Sequence, residues 1–159
     1  MKLIPKNGND KVYTPEYLCK RIVDYFKPKG KILEPCKGSG NFLKYLSNCD
    51  WCEIDEGKDF FDYNKKVDWI ITNPPYSIVK KFLIKSYEIR TKNIVYLIPI
   101  NHILGLKARI NDMYSYGYMI KEIIFIDTPK EFPQSGFQYG IIHIKKGKQR
   151  NIKITNWRE

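Results

Sequence analysis

The residues with the clearest chemical purpose are Asn73, Pro74, Pro75 and Tyr76, which directly follow the apolar run Trp69 to Thr72. Two prolines end a strand and stiffen the turn behind it, because the ring fixes φ and restricts the preceding residue. Neither proline nitrogen can donate, so neighbouring carbonyls are left as acceptors beside the Asn73 amide and the Tyr76 ring. That set suits a planar amino group. The carboxamide oxygen and the Pro74 carbonyl can take its two N–H bonds while the tyrosine stacks on the attached ring.

A second group lies upstream. Glu34-Pro35-Cys36-Lys37-Gly38-Ser39-Gly40 places two glycines where a strand should pass into a helix, allowing a ligand to approach the backbone and the helix N-terminus. A tight turn without a ligand is the other reading of the same residues. Glu53 closes the next strand, where an acid is placed to accept hydrogen bonds from ribose hydroxyls. Together they point to a nucleotide-like ligand, either a dinucleotide or another adenosine compound.

The elements that would hold these groups alternate between strand-length apolar clusters and amphipathic stretches, the pattern of a mostly parallel sheet with helices on both faces. Thr14 caps a first helix with Pro15 at its first position, and Leu18, Ile22 and Phe26 form its apolar face before Pro28 and Gly30. Strands are expected at Lys31 to Glu34, Trp51 to Ile54, Trp69 to Thr72, Ile94 to Pro99, Ile123 to Ile126 and Tyr139 to Ile144. Further helices are expected from near Gly40, with Phe42, Leu43 and Leu46 inward, and from Ser77 to about Ile89. A loop with Pro129, Pro133 and Gly136 joins the last two strands.

With these motifs in order, the sequence resembles the amino-group DNA methyltransferases that use S-adenosylmethionine, specifically the N6-adenine enzymes. The resemblance runs through Tyr13-Thr14-Pro15, the Glu34 to Gly40 loop, Glu53-Ile54, Asp59-Phe60, Asn73 to Tyr76, and a stretch near Phe132-Pro133-Gln134. It implies a Rossmann-like α/β fold and a set of roles. Tyr13, Thr14 and Pro15 would close over the methionine end of the cofactor, and Glu34 would face its ammonium, while Pro35, Cys36, Gly38 and Gly40 line the backbone path. Glu53 would take the ribose. Ile54 and Phe60 would sandwich the adenine, and Asp59 would accept its amino group. Asn73 would link cofactor and target. The target adenine would leave the duplex, with Tyr76 on one side and Phe132, or failing it Phe137, as the second wall. Asn73 and Pro74 would then hold both amino hydrogens and favour a more tetrahedral nitrogen, with Pro75 and Tyr76 completing the turn. No covalent protein intermediate is required, and Cys36 reads as packing.

The chain of 159 residues has 28 Lys and Arg against 17 Asp and Glu, a formal charge of +11, which favours a polyanionic partner. Double-stranded DNA is the expected partner, touched by Lys107, Arg109 and Lys130 on the loops Asn101 to Arg109 and Thr128 to Gln138. Lys145, Lys146, Lys148 and Arg150 could touch phosphates or solvate an edge strand. Residues 1–159 read as one catalytic domain with no separate recognition domain, so a specificity partner or a homodimer could supply sequence reading. Action on RNA or on protein glutamine, or nucleic-acid binding without catalysis, are the alternatives. The longest apolar stretch, Ile94 to Ile100, has seven residues, against the roughly 20 of a membrane-spanning helix. The first ten residues carry no signal-like apolar run, so a cytoplasmic location with four reduced cysteines is expected. Cys49 and Cys52 have no second pair or nearby histidine, and no metal is expected. His102 and His143 read as structural.

Overall fold

A computed structural model describes residues 11–159; the first ten, on which the reading of a missing signal segment rests, lie outside the described residues. Seven strands form one sheet: β1 (Ile32–Glu34), β2 (Cys49–Trp51), β3 (Trp69–Thr72), β4 (Asn93–Pro99), β5 (Tyr118–Phe125), β6 (Tyr139–Lys146) and β7 (Lys153–Asn156). Their order is β2-β1-β3-β4-β6-β5-β7. The first four run parallel, β6 runs antiparallel between β4 and β5, and β7 lies parallel to β5.

The continuous apolar run of β4 is explained by burial on both faces. Ile94, Tyr96 and Ile98 join one core cluster with Val79, Phe82 and Leu83 of helix α2 (Val79–Glu88), together with Ile103 of α3 (Asn101–Leu104) and Met113 of α4 (Lys107–Ser115). Val95 and Leu97 point into the other cluster, with Leu18, Cys19, Ile22 and Val23 of α1 (Glu16–Phe26). Helices therefore cover both faces, as the sequence pattern implies. No helix among the described residues is long and apolar enough to cross a membrane.

Several expectations are corrected. The helix expected from Gly40 is a series of turns: β2 must pair with β1 from Cys49 onward, and the short return leaves only local bonds such as Tyr45 N–H to the Phe42 carbonyl. Helix α1 starts at Glu16 with Pro15 at its cap, because Thr14 is buried and contributes its carbonyl to Asn41 Nδ2 at 2.9 Å. The strand expected at Trp51 to Ile54 is Cys49–Trp51, and Ile54–Glu56 is a single 3-10 turn capped by the Glu53 carboxylate. The loop expected over Asn101 to Arg109 is mostly α3 and the start of α4. Lys145 and Lys146 end an interior strand, with β2 and β7 at the edges.

Gly140 lies where β6 crosses between β4 and β5, opposite Ile98 and Phe125. A Cβ there would sit 2.6 Å from Ile100 Cγ2 and 2.8 Å from the Ile124 carbonyl. Gly140→Ala should therefore destabilise the fold by about 1–3 kcal/mol, the usual cost of overpacking. Urea denaturation checks this, and an unchanged midpoint would contradict the packing described.

Candidate active site

The three parallel strands β1, β2 and β3 deliver their carboxyl ends side by side, and the chemically distinctive residues leave from those ends. This is where an open α/β sheet places its ligands. Glu34 ends β1 and is only 1% exposed. Its Oε1 accepts from the Thr72 hydroxyl at 2.5 Å and from Cys36 N–H at 2.9 Å, so one carboxylate oxygen ties β3 to the loop after β1. Its Oε2 is buried and has no hydrogen-bond partner among the described residues. Burial, opposed in part by the Thr72 and Cys36 bonds, pushes the Glu34 carboxyl up to about 8.

The glycine loop is held against β2. Lys37 N–H donates to the Cys52 carbonyl at 3.0 Å, and Gly38 N–H donates to Glu53 Oε2 at 2.9 Å. Gly38 has φ +53, and a Cβ on it would meet the Tyr13 ring at 2.7 Å. Glycine is required there both by the backbone conformation and by the close approach of that ring. Tyr13 is 54% exposed and covers the loop from outside. Glu53 Oε1 accepts from Asp55 N–H at 3.3 Å, and Asp59 Oδ1 accepts from Phe61 N–H at 2.9 Å. Ile54 is half-buried, whereas Phe60 is buried against Phe82, with ring centroids 5.0 Å apart.

After β3, Pro74 and Pro75 are buried and Asn73 and Tyr76 half-buried. Asn73 Nδ2 donates to the Val12 carbonyl at 3.1 Å, anchoring the segment before Tyr13-Thr14-Pro15 to the end of β3. That bond fixes the amide's orientation. Asn73 Oδ1 is left buried with no hydrogen-bond partner among the described residues. The Pro75 carbonyl is taken by Ile78 N–H at 3.3 Å, in the 3-10 turn Tyr76–Ile78 that leads into α2.

The structure thus brings together Tyr13, Thr14, Glu34, the loop to Gly40, Glu53 and Asn73, and Phe132 lines one cleft with Tyr13, Thr14 and Pro15. Phe132 is 3% exposed and packs on Tyr139 at 5.2 Å, and Tyr139 in turn lies 6.1 Å from Tyr76. Phe137 is 56% exposed. Beside Tyr76 lies the His102 ring of α3, tilted by 32° with centroids 5.7 Å apart. His102 reads from the sequence as structural, and its position just past the end of a strand is the one local signal that places it near Tyr76. Arg109 donates to the His102 carbonyl and is half-buried, tying α4 to α3, while Lys107 and Lys130 are exposed. His143 is buried elsewhere, stacked on Trp69 and bonded to Asn93 Oδ1 at 3.0 Å, and burial pushes its ring down to about 4. No group of three metal-ligating side chains occurs among the described residues.

No protein-family model matches the chain, and no curated protein matches it. Solved structures do. The M protein of the type I restriction enzyme EcoKI superposes with a TM-score of 0.68 at 14% identity over 92% of this chain and 48% of its own. A protein from Pyrococcus horikoshii provisionally described as an RNA methyltransferase gives 0.63 at 13% identity, over 91% of this chain and 92% of that one. Magnesium protoporphyrin IX methyltransferase from Synechocystis, solved with S-adenosylmethionine bound, gives 0.58 at 10% identity over 83% of this chain and 79% of its own. The chain has the Rossmann-like fold of the S-adenosylmethionine-dependent methyltransferases, and it spans about half the length of the type I subunit.

The buried carboxyl predicts a pH effect with a definite sign. Glu34 holds its proton in the folded chain up to about 8, well above the ordinary 4.5, so its contribution to stability is fully present below 4.5. It is lost as pH rises through about 8. Glu34→Gln, which keeps an acceptor for Thr72 and Cys36, should raise the melting temperature relative to the natural chain at alkaline pH more than at acid pH. Melting curves across that range test it, and a pH-independent difference would show that Glu34 is not buried as an acid.

Proposed function

We propose that the chain transfers a methyl group from S-adenosylmethionine to the N6 amino group of adenine in DNA. The observation that carries this reading is the Asn73 amide, held through Nδ2 by Val12 while Oδ1 is buried and unpartnered among the described residues. An acceptor left unsatisfied in a protein interior costs free energy that a ligand N–H can recover. It belongs to an Asn-Pro-Pro-Tyr turn, so an exocyclic amine can reach the Asn73 oxygen and a proline carbonyl at once. Holding both hydrogens favours a more tetrahedral nitrogen, which frees its lone pair for attack.

The residues present fit the cofactor. The unpartnered Glu34 Oε2 suits an ammonium, the Glu53 carboxylate at the end of β2 suits a ribose diol, and Asp59 with Ile54 suits an adenine amino group and ring face. When bound, S-adenosylmethionine supplies an activated methyl on sulfonium. The chain's own part is to orient the amine at Asn73, to present the Tyr76 ring with His102 beside it, and to close Tyr13 over the glycine loop. Proximity and orientation supply much of the rate enhancement. The same machinery would serve RNA adenine, a second reading favoured by the nearly end-to-end match to the Pyrococcus horikoshii protein. Reading of a target sequence would fall to a specificity partner or a second copy.

Incubation with methyl-labelled S-adenosylmethionine and duplex DNA, followed by mass spectrometry of the digested nucleosides, should give N6-methyladenine. Asn73→Ala should lower the rate by about a hundredfold or more, as removal of a positioned polar contact to the reacting centre does. Label found only on cytosine, only on RNA or only on protein would overturn the substrate assignment.

A further inference from the structure

Eleven of the 28 basic residues, against three acids, gather at the end of the sheet opposite the candidate site. Lys27, Lys29 and Lys31 occupy the turn from α1 into β1, and Lys65 and Lys66 precede β3. Arg90 and Lys92 precede β4, and Lys145, Lys146, Lys148 and Arg150 follow from the end of β6. The topology gathers them. Lys31, Lys65 and Lys66 line one cleft, Lys145 pairs in register with Asn93, and Lys146 N–H donates to the Lys92 carbonyl at 3.0 Å. All of these basic side chains are exposed. The acids among them are Asp50, Asp68 and Glu88, of which Asp50 pairs with Lys65 and Asp68 with Lys92. None of the other bases makes an ion pair among the described residues. At the site end, by contrast, Glu53, Asp55, Glu56, Asp59 and Asp62 crowd one segment around Lys58.

We infer that this basal face is a phosphate-backbone binding surface for a nucleic acid, separate from the pocket that would hold a target base. Adjacent strands are about 4.8 Å apart, so bases entering β1, β3 and β4 and ending β6 span a row of about 14 Å. A duplex presents a phosphate every 3.4 Å along each strand, so such a row meets several phosphates and releases their counterions. The patch is dominated by lysine. Protein interfaces are depleted in lysine and enriched in arginine and aromatics, whereas flexible ammonium groups neutralise phosphates without demanding fixed geometry. The surface therefore fits a polyphosphate better than an acidic protein. It supplies affinity without sequence information.

The inference stands apart from methyl transfer, because its test needs neither cofactor nor turnover. Lys31→Gln, Lys66→Gln and Lys146→Gln combined would be compared with a charge-matched triple at the site end, Lys58→Gln, Lys107→Gln and Lys130→Gln. Binding of a fluorescent duplex is followed by anisotropy against salt, and melting curves confirm that both variants fold. The basal triple should lower the log–log salt slope by about 2–3 and weaken low-salt affinity about tenfold or more, with a smaller change for the site-end triple. Equal changes in the two variants would mean that net charge alone is being read, and would overturn the proposal. So would an unchanged slope in the basal triple. Polyglutamate and phosphatidylserine vesicles serve as further probes, and a basal triple that loses binding to either while keeping the duplex would assign the face to an acidic protein or a membrane instead.

Discussion

The arrangement of the site depends on one buried carboxyl. Glu34 ends its strand inside the protein, and a single oxygen receives both the Thr72 hydroxyl and the Cys36 N–H. Through that oxygen the end of β3 is fixed relative to the loop after β1, and the Glu53 bond to Gly38 N–H fixes the same loop to the end of β2. Three strand ends become one rigid frame. The cost is an acid in a poorly solvated place, with its second oxygen unpaired among the described residues. A group whose charge is disfavoured in the empty protein is also one whose ionisation a bound cation can restore, so on the proposed reading Glu34 would be a recognition element as well as a structural tie.

Asn73 repeats this logic on the neighbouring strand. Its amide nitrogen is spent on the Val12 carbonyl, a long-range contact that brings the N-terminal segment across the sheet ends. What remains is an oxygen whose direction is set by the bond its nitrogen makes. The two unpartnered oxygens, Glu34 Oε2 and Asn73 Oδ1, leave from adjacent strands. A ligand spanning cofactor and target groups would meet both.

Much of this was legible in the sequence because it is local. The Pro-Pro turn stops β3 where expected, the glycines mark the loop after β1, and β4 is recognisable from uninterrupted apolar character. What was not legible is set by pairing across the chain. The turns after Gly40 have the apolar spacing of a helix, yet the register of β2 against β1 leaves no length for one. The short segment Lys153–Asn156, with the alternation Ile152-Lys153-Ile154-Thr155, is not among the expected strands. It becomes β7 because Glu122 receives Thr155 Oγ1 at 2.5 Å and Lys153 at 3.3 Å while the backbone pairs with β5. His102 likewise carries only the hint of its position past a strand end, since its place beside Tyr76 follows from how α3 turns back after β4. Phe132, an aromatic in a loop, packs on Tyr139 and lines a cleft with Tyr13 and Thr14, a placement set by contacts far along the chain.

The split of charge between the two ends of the sheet follows from the demands on each. On the proposed reading the site would hold an ammonium and a ribose and so would collect acids, and here Asp55 and Glu56 are partly offset by ion pairs with Lys11 at 2.8 Å and Lys37 at 2.7 Å. The same acids repel a polyanion approaching the pocket. Strand β4, with seven residues, separates the two ends by about 23 Å, more than twice the Debye length of about 8 Å at physiological ionic strength. Lysines at the far end are therefore screened from the acids of the site and can neither neutralise them nor be neutralised by them. If the site binds the proposed cofactor and the basal face the proposed polyanion, the chain gains by placing its free bases where this screening makes them independent, and the loops entering β1, β3 and β4 are the positions the topology offers.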